Sequence, residues 1–187
     1  NNMPLIAIAG SQGTGKSTLI DQLPYKKIER KTSRSILADW GVTLSEVNNN
    51  RPLTIKFQDE VLKRKQEDEA VAVSSFDVYV TERTFADLFV YALVAIGKDN
   101  ECSDWLNEYY ERCKQAQQRY TGVFFLEGGH FKPVDDGVRA VNQHYSWMVD
   151  AAMKEYTSRM TDIGYNLITT PHIHTRVDIV TQSLQQL

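Results

Sequence analysis

The stretch GSQGTGKS at positions 10–17 matches G-x-x-x-x-G-K-[ST] in full, and it constrains the fold more than any other part of the chain. The residues before it, LIAIA at 5–9, are all apolar, the composition of a strand covered on both faces. Glycines at 10, 13 and 15 let the backbone curl so that successive N–H groups converge on phosphate oxygens. A helix opening near Lys16 adds partial positive charge at the same place. Ser11, Gln12, Gly13, Thr14, Gly15, Lys16, Ser17 and Thr18 are therefore the expected nucleotide-binding residues. Lys16 is placed to reach the β- and γ-phosphates of ATP, and the Ser17 hydroxyl to ligate Mg²⁺.

Around this unit, short apolar runs alternate with amphipathic segments. Further strands are expected near 27–30 and at 76–81, 123–126 and 165–169. Helices are expected at 16–23, from Thr32 or Ser33 to Gly41, and at 53–69, 85–96, 103–120, 138–160 and 176–184. This alternation predicts a three-layer α/β fold with a parallel sheet of about five strands, in one domain over residues 3–187. Asn1 and Asn2 read as an expression remnant ahead of Met3.

Hydrophobic residues at 42% and charged residues at 24% are those of a globular chain, not a disordered one. The net charge of −3 argues against a protein whose main task is gripping duplex DNA. Cys102 and Cys113 lack metal or redox spacing and read as free thiols. No apolar run approaches the ~20 residues that span a bilayer, and no signal-peptide pattern is present. The expected location is cytoplasmic, in the host's cytoplasm if the gene belongs to a phage.

Ligands of open parallel sheets sit beyond the carboxyl ends of the strands. FDVYVTERTFADLFVYAL, residues 76–93, delivers Glu82 and Arg83 to that edge, with Asp87 one helical turn later. A carboxylate there can hold a Mg²⁺ shell or accept a proton from an attacking hydroxyl. The adjacent arginine can grip phosphate oxygens bidentately. VFFLE, ending at Glu127, has the form of a strand that activates water, so Glu127 competes with Glu82 for the role of key carboxylate. Lys26, Lys27, Arg30, Lys31 and Arg34 fit an anionic substrate or a solvated face. His172 and His174 stand two apart without further ligands at metal-binding spacing.

Glu82-Arg83-Thr84, followed by Asp87 and an aromatic helix, resembles the Glu-Arg-Ser segment of deoxynucleoside kinases and the Asp-Arg segment of thymidylate kinases. The whole chain resembles small phage and bacterial P-loop proteins of AAA-like type, a group similar to nicotinamide riboside kinases and phage deoxynucleotide kinases. The resemblance implies that Arg139, after Asp135-Asp136-Gly137, is the arginine of a mobile lid, with Lys132 and His130 as lesser candidates. It implies that Thr169-Thr170-Pro171 lies against the nucleotide base, and that Arg34 clamps a substrate phosphate together with Arg83 and Asp87. The chain departs from the kinase pattern after the second strand, where Lys31 stands near the position of an expected acid.

Three readings follow. The first is an ATP- and Mg²⁺-dependent kinase acting on a deoxynucleoside or its monophosphate, with Lys16, Glu82, Arg83 and Arg139 as catalytic residues and Ser17 and Glu82 toward the metal. The second is a phage enzyme that phosphorylates hydroxymethyluracil in DNA. Trp105, Tyr109, Tyr110, Arg112 and Arg119 fit it as a base-stacking surface, or else form a core stripe with a wet face. The third is an ATPase that works with a protein partner.

Overall fold

The alternation of side chains along the central strands sets the layers. The computed structural model describes residues 4–29, 33–131 and 142–186. Strand β1 (Leu5–Ala9) is buried along its whole length. Leu5, Ala7 and Ala9 join one hydrophobic cluster, Ile6 and Ile8 another, the period-2 split of a strand covered on both faces. In β4 (Gly122–Leu126), Val123 and Phe125 go one way, Phe124 and Leu126 the other. With β2 (Lys26–Lys27), β3 (Tyr79–Glu82) and β5 (Asn166–Ile168) they form a five-stranded sheet in the order β2-β3-β1-β4-β5. Every pairing is parallel. The predicted fold class and strand number are both met.

Helices α1 (Lys16–Gln22) and α8 (Ile173–Gln185) cover the Ile6 side of the sheet. The Leu5 side is covered by α4 (Arg51–Glu69), α5 (Phe85–Ile96), α6 (Ser103–Gln117) and α7 (Gln143–Met160). Helices α2 (Ser33–Trp40) and α3 (Leu44–Asn48) pack on α4 through a smaller cluster of Ile36, Val47 and Phe57. The helix leaving β1 therefore goes to one face, and those leaving β3 and β4 to the other. Their divergence opens a crevice at the carboxyl ends of these three adjacent strands. Among the described residues no helix is long and apolar enough to cross a membrane.

Several boundaries differ from expectation for local reasons. Strand β3 begins at Tyr79 rather than 76, because the Asp77 amide donates to Ser75 Oγ in a turn and Phe76 is left 94% exposed. Helix α3 was not expected, although Thr43 and Glu46 carry its signature: Thr43 Oγ1 accepts from the Glu46 amide at 3.1 Å. Helix α4 starts two residues early, where Asn50 caps it and Pro52 fits the first turn. Helix α8 also starts early, at Ile173. Asn142 caps α7 by accepting from His144 and Tyr145, and residues 138–141 of the expected helix lie outside the described residues.

Of the aromatic residues of α6, Tyr109 is core, and half-buried Trp105 and Tyr110 pack against it or its neighbours. Tyr109 is fully buried and stacks on Trp105 with centroids 4.7 Å apart, while Tyr110 meets Phe89 edge-on at 5.3 Å. Trp105 Nε1 and Arg112 both donate to Asp59. Packing engages Tyr109 fully and the other two rings in part.

A buried ion pair ties α4 to the sheet. Lys65 Nζ lies 3.0 Å from Glu69 Oε1, with both side chains almost wholly buried. Tyr120 OH donates to Glu69 Oε1 at 2.8 Å, and Lys65 also donates to Thr81 Oγ1 and to the carbonyl of Glu82. Removing one member leaves a buried charge. Glu69→Leu is expected to cost about 3–5 kcal/mol in chemical denaturation, most of it recovered by adding Lys65→Met. Burial also pushes the Cys113 thiol up to about 12, and Cys102 is buried as well. Neither cysteine is expected to react with a disulfide reagent at pH 8 until the protein is unfolded.

Candidate active site

The loop after β1 has no room for side chains at its first turn. A Cβ on Gly10 would lie 2.8 Å from the Leu126 carbonyl oxygen, and Gly10, Gly13 and Gly15 all have positive φ. The curl is held from several sides. Lys16 Nζ donates to the carbonyls of Gly10 and Ser11 at 3.0 and 2.6 Å. Thr14 Oγ1 donates to Ser11 O at 2.9 Å. Gln12, Gly13, Ser17 and Thr18 face outward, while Ser11, Thr14 and Lys16 are buried. This is a phosphate-binding geometry: a glycine-rich curl that runs into the N-terminus of α1.

The end of β3 reaches the cradle directly. In the β1–β3 register Glu82 lies beside Ile8, and Ser17 Oγ donates to Glu82 Oε1 at 2.7 Å. Hydroxyl and carboxylate together make a paired oxygen site at the mouth of the loop, the donor set a hard divalent cation such as Mg²⁺ prefers. Arg83 then turns the chain with φ 74°, the one positive φ outside glycine among the described residues. Its amide donates to Ile8 O at 2.8 Å. Arg83 Nη1 donates to Tyr91 OH at 2.6 Å, and the guanidinium lies 5.2 Å from the centre of that ring. Burial works against the Arg83 charge, but Tyr91, Asp87 and Glu82 outweigh it and hold its pKa above the ordinary value. Burial raises the Tyr91 phenol.

Asp87 lies behind the loop, fully buried. Its Oδ2 accepts from the amides of Thr84 and Gly10 at 3.2 and 3.4 Å, and Thr84 Oγ1 accepts from the Asp87 amide, which makes a capping box for α5. Its Oδ1 has no hydrogen-bond partner. Burial raises its pKa, against the opposing pull of Arg83 and Lys16.

On the opposite side Asp150 of α7 accepts through Oδ1 from Ser11 Oγ at 3.0 Å and from the Gly128 amide at 3.1 Å. A Cβ on Gly128 would lie 2.7 Å from that oxygen, so a larger residue there would push the Asp150 carboxylate aside. Burial raises the Asp150 pKa as well. Glu127, the competing carboxylate, also follows a strand that flanks β1. Its Oε1 lies 3.5 Å from His130 Nε2.

Arg176, on the first turn of α8, is 2% exposed. Its Nε donates to Thr170 O at 2.8 Å and its Nη1 to Thr14 O at 2.6 Å. Pro171, in the loop between β5 and α8, is exposed. Arg34 is exposed on the first turn of α2. Arg139, Lys132, Asp135, Asp136 and Gly137, together with Arg30, Lys31 and Thr32, lie outside the described residues.

The structure thus brings Lys16, Ser17, Glu82 and Arg83 around one crevice, while Asp87, expected to contact substrate, is fully buried behind the loop. Sequence reasoning missed Asp150, Tyr91 and Arg176. Asp150 and Arg176 sit among ordinary helix charges, and only the fold turns them onto the loop. Tyr91 has a readable signal, since it stands on the helix that begins just after Arg83, two turns from its start.

Comparison with known proteins gives a consistent fold. No curated protein matches the chain. Among solved structures, deoxyadenosine kinase from M. mycoides with bound dATP superimposes with a TM-score of 0.69 at 13% identity, covering 97% of this chain and 99% of that one. NadR in complex with NAD and AMP-PNP gives 0.65 at 11%, covering 97% of this chain and 49% of that one. Thymidylate kinase from Ehrlichia chaffeensis gives 0.55 at 16%, covering 99% and 100%. These likenesses are to the fold of P-loop kinases. The AAA domain family AAA_28 matches residues 5–176, from the first strand to Arg176, and the chain belongs to that family.

Proposed function

We propose that this protein is a kinase that transfers the γ-phosphate of ATP to a nucleotide-type acceptor, a deoxynucleoside or its monophosphate. The observation that carries the reading is the 2.7 Å hydrogen bond from Ser17 to Glu82, with Arg83 next in the chain. It sets a carboxylate and a guanidinium of one strand end beside the hydroxyl of the phosphate loop. Glu127 makes its polar contact with His130. The fold shared with nucleoside and nucleotide kinases supports the same reading.

In this reading the N–H groups of Gly13–Ser17 and the ammonium of Lys16 hold the β- and γ-phosphate oxygens. An acceptor hydroxyl attacks the γ-phosphorus, Glu82 takes its proton, and the bond to the β–γ bridging oxygen breaks to release ADP. If the acceptor is a monophosphate, its oxygen attacks without losing a proton, and Glu82 serves the cation instead. Ser17 and Glu82 would hold Mg²⁺, which neutralises charge on the β- and γ-oxygens when bound. Arg83, fixed by Tyr91, and Arg34 face the acceptor. Asp87 acts there by holding Gly10 and the turn at Thr84. Thr169-Thr170-Pro171 lies toward the donor base, and the role of stabilising charge on the transferring group is assigned to Arg139, as the resemblance to kinases implies. Positioning and fixed charge supply most of the rate.

The test is transfer of labelled phosphate from ATP to deoxynucleosides, their monophosphates, and DNA carrying thymine or hydroxymethyluracil. Label is expected on a free nucleoside or monophosphate and is abolished by Lys16→Ala. Label appearing only as free phosphate, at a rate that no acceptor changes, would replace this reading with a hydrolase. Label on DNA alone would move the acceptor into a polymer. In the same assay Glu82→Gln is expected to lower kcat by about 10²–10⁴, the usual contribution of a positioned acid or base. Glu127→Gln should stay within a few-fold of wild type, and the opposite ranking would reassign the key carboxylate.

A further inference from the structure

Arg176 is among the largest fully buried side chains of the molecule, and no carboxylate among the described residues pairs with it. Its two bonds are to backbone carbonyls, Thr14 O and Thr170 O. Its Nη2 is buried and has no hydrogen-bond partner. The ring of Phe131 lies over the guanidinium, 5.7 Å from centroid to Cζ. The other arginines with perturbed acidity, Arg51, Arg64, Arg83 and Arg112, each have a carboxylate or phenol that favours the charge. Burial alone acts on Arg176 and lowers its pKa.

A buried cation without a counter-ion is costly, and a fold keeps one where an anion offsets it. The position indicates which anion. Arg176 Nη1 holds the carbonyl of Thr14, and a Cβ on Gly15 would lie 2.8 Å from that same nitrogen. The guanidinium therefore presses on the outside of the curl whose inner N–H groups face phosphate. Its two carbonyl bonds fix it in place, so no reorganisation is needed when charge arrives, and the surroundings are too dry to screen the attraction.

We propose that Arg176 is a donor-binding residue. Its charge is the protein's fixed counter-charge to the polyphosphate of a nucleoside triphosphate in the Gly10–Ser17 loop, acting across the Thr14–Gly15 backbone that it holds. The proposal rests on the donor half of the reading above and is independent of the acceptor. It also makes Arg176 the link between the phosphate loop and the loop after β5, because one planar group bonds Thr14 and Thr170 together.

The probe is inorganic tripolyphosphate, titrated by calorimetry into wild type, Arg176→Met, Arg176→Lys and Lys16→Ala, with adenosine as the uncharged control. Arg176→Met is expected to bind tripolyphosphate at least tenfold more weakly, with a clearly smaller loss toward adenosine, and Arg176→Lys to fall between wild type and Arg176→Met. Tripolyphosphate affinity within threefold of wild type would overturn the proposal and leave Arg176 as a strut between two carbonyls. Equal loss toward tripolyphosphate and adenosine would overturn it too, since that marks collapse of the site. If Arg176→Met does not fold, wild type supplies the answer: tripolyphosphate should shift the guanidinium ¹⁵N signals of Arg176, and unmoved signals at saturation would refute the electrostatic coupling. Lys16→Ala separates the two failures. If it binds tripolyphosphate like wild type, the donor-site reading itself falls; if it loses binding while Arg176→Met keeps it, only the present proposal falls.

Discussion

The position of β1 governs the rest of the molecule. It is the middle strand of the sheet, buried on both faces, and its last residue runs straight into a loop with no side-chain room beside Leu126. The chain has to leave this strand through glycines, and the only direction open to it is the crevice between the diverging helix layers. That exit turns the loop's N–H groups toward a common point and starts α1 behind them. Two neighbouring strands end at the same level, β3 with Glu82 and Arg83, β4 with Glu127 and Gly128. The functional crevice is thus a consequence of strand order as much as of the motif.

The loop is held in this shape by four charged side chains, three of them buried and Asp150 half-buried. Lys16 sits inside it, Asp87 behind Gly10, Asp150 against Ser11 and Arg176 against Thr14. Burial disfavours the charged forms of both aspartates and of Arg176. A cradle of apolar packing would be more stable. What the charged one gains is a backbone whose amides are fixed before ligand arrives, which is the condition under which dipoles act strongly on phosphate. Farther from the crevice, the Lys65–Glu69 pair extends the same logic to β3, since Lys65 also donates to the carbonyl of Glu82.

Much of this was legible in the sequence because it is local. An all-apolar strand, a glycine-spaced loop and a helix start identify the cradle and require a parallel sheet. The ERT segment identifies the second strand end. Thr43 and Glu46 carried a legible cap that was overlooked. Other elements depend on contacts far apart in the chain and leave no local pattern. Asp150 meets Ser11 across 139 positions and Arg176 meets Thr14 across 162. Each reads as an ordinary helix charge until the sheet order places α7 and α8 beside the loop. The aromatic residues of α6 show the converse: their interleaving with arginines resembles a nucleic-acid surface, while Tyr109 is buried against Phe89 and Trp105 as part of the core.

Four carboxylates stand around the crevice, and their surroundings divide the work among them. Asp87 and Asp150 each hold two amides or hydroxyls of the surrounding loops, in sites where burial favours the neutral acid. Oδ2 of Asp87 and Oδ1 of Asp150 are taken up by groups of the loops they hold, so these two shape the cradle. Glu127 is half-buried and directed to His130. Glu82 is half-buried too, but it meets the hydroxyl of the loop residue that heads α1, on the side where Arg83 also enters. That pairing of access with contact to the cradle supports giving the reacting role to Glu82. It also explains why the turn after it carries backbone strain: a left-handed residue at position 83 lets one strand end aim a carboxylate at Ser17 and a guanidinium at Tyr91.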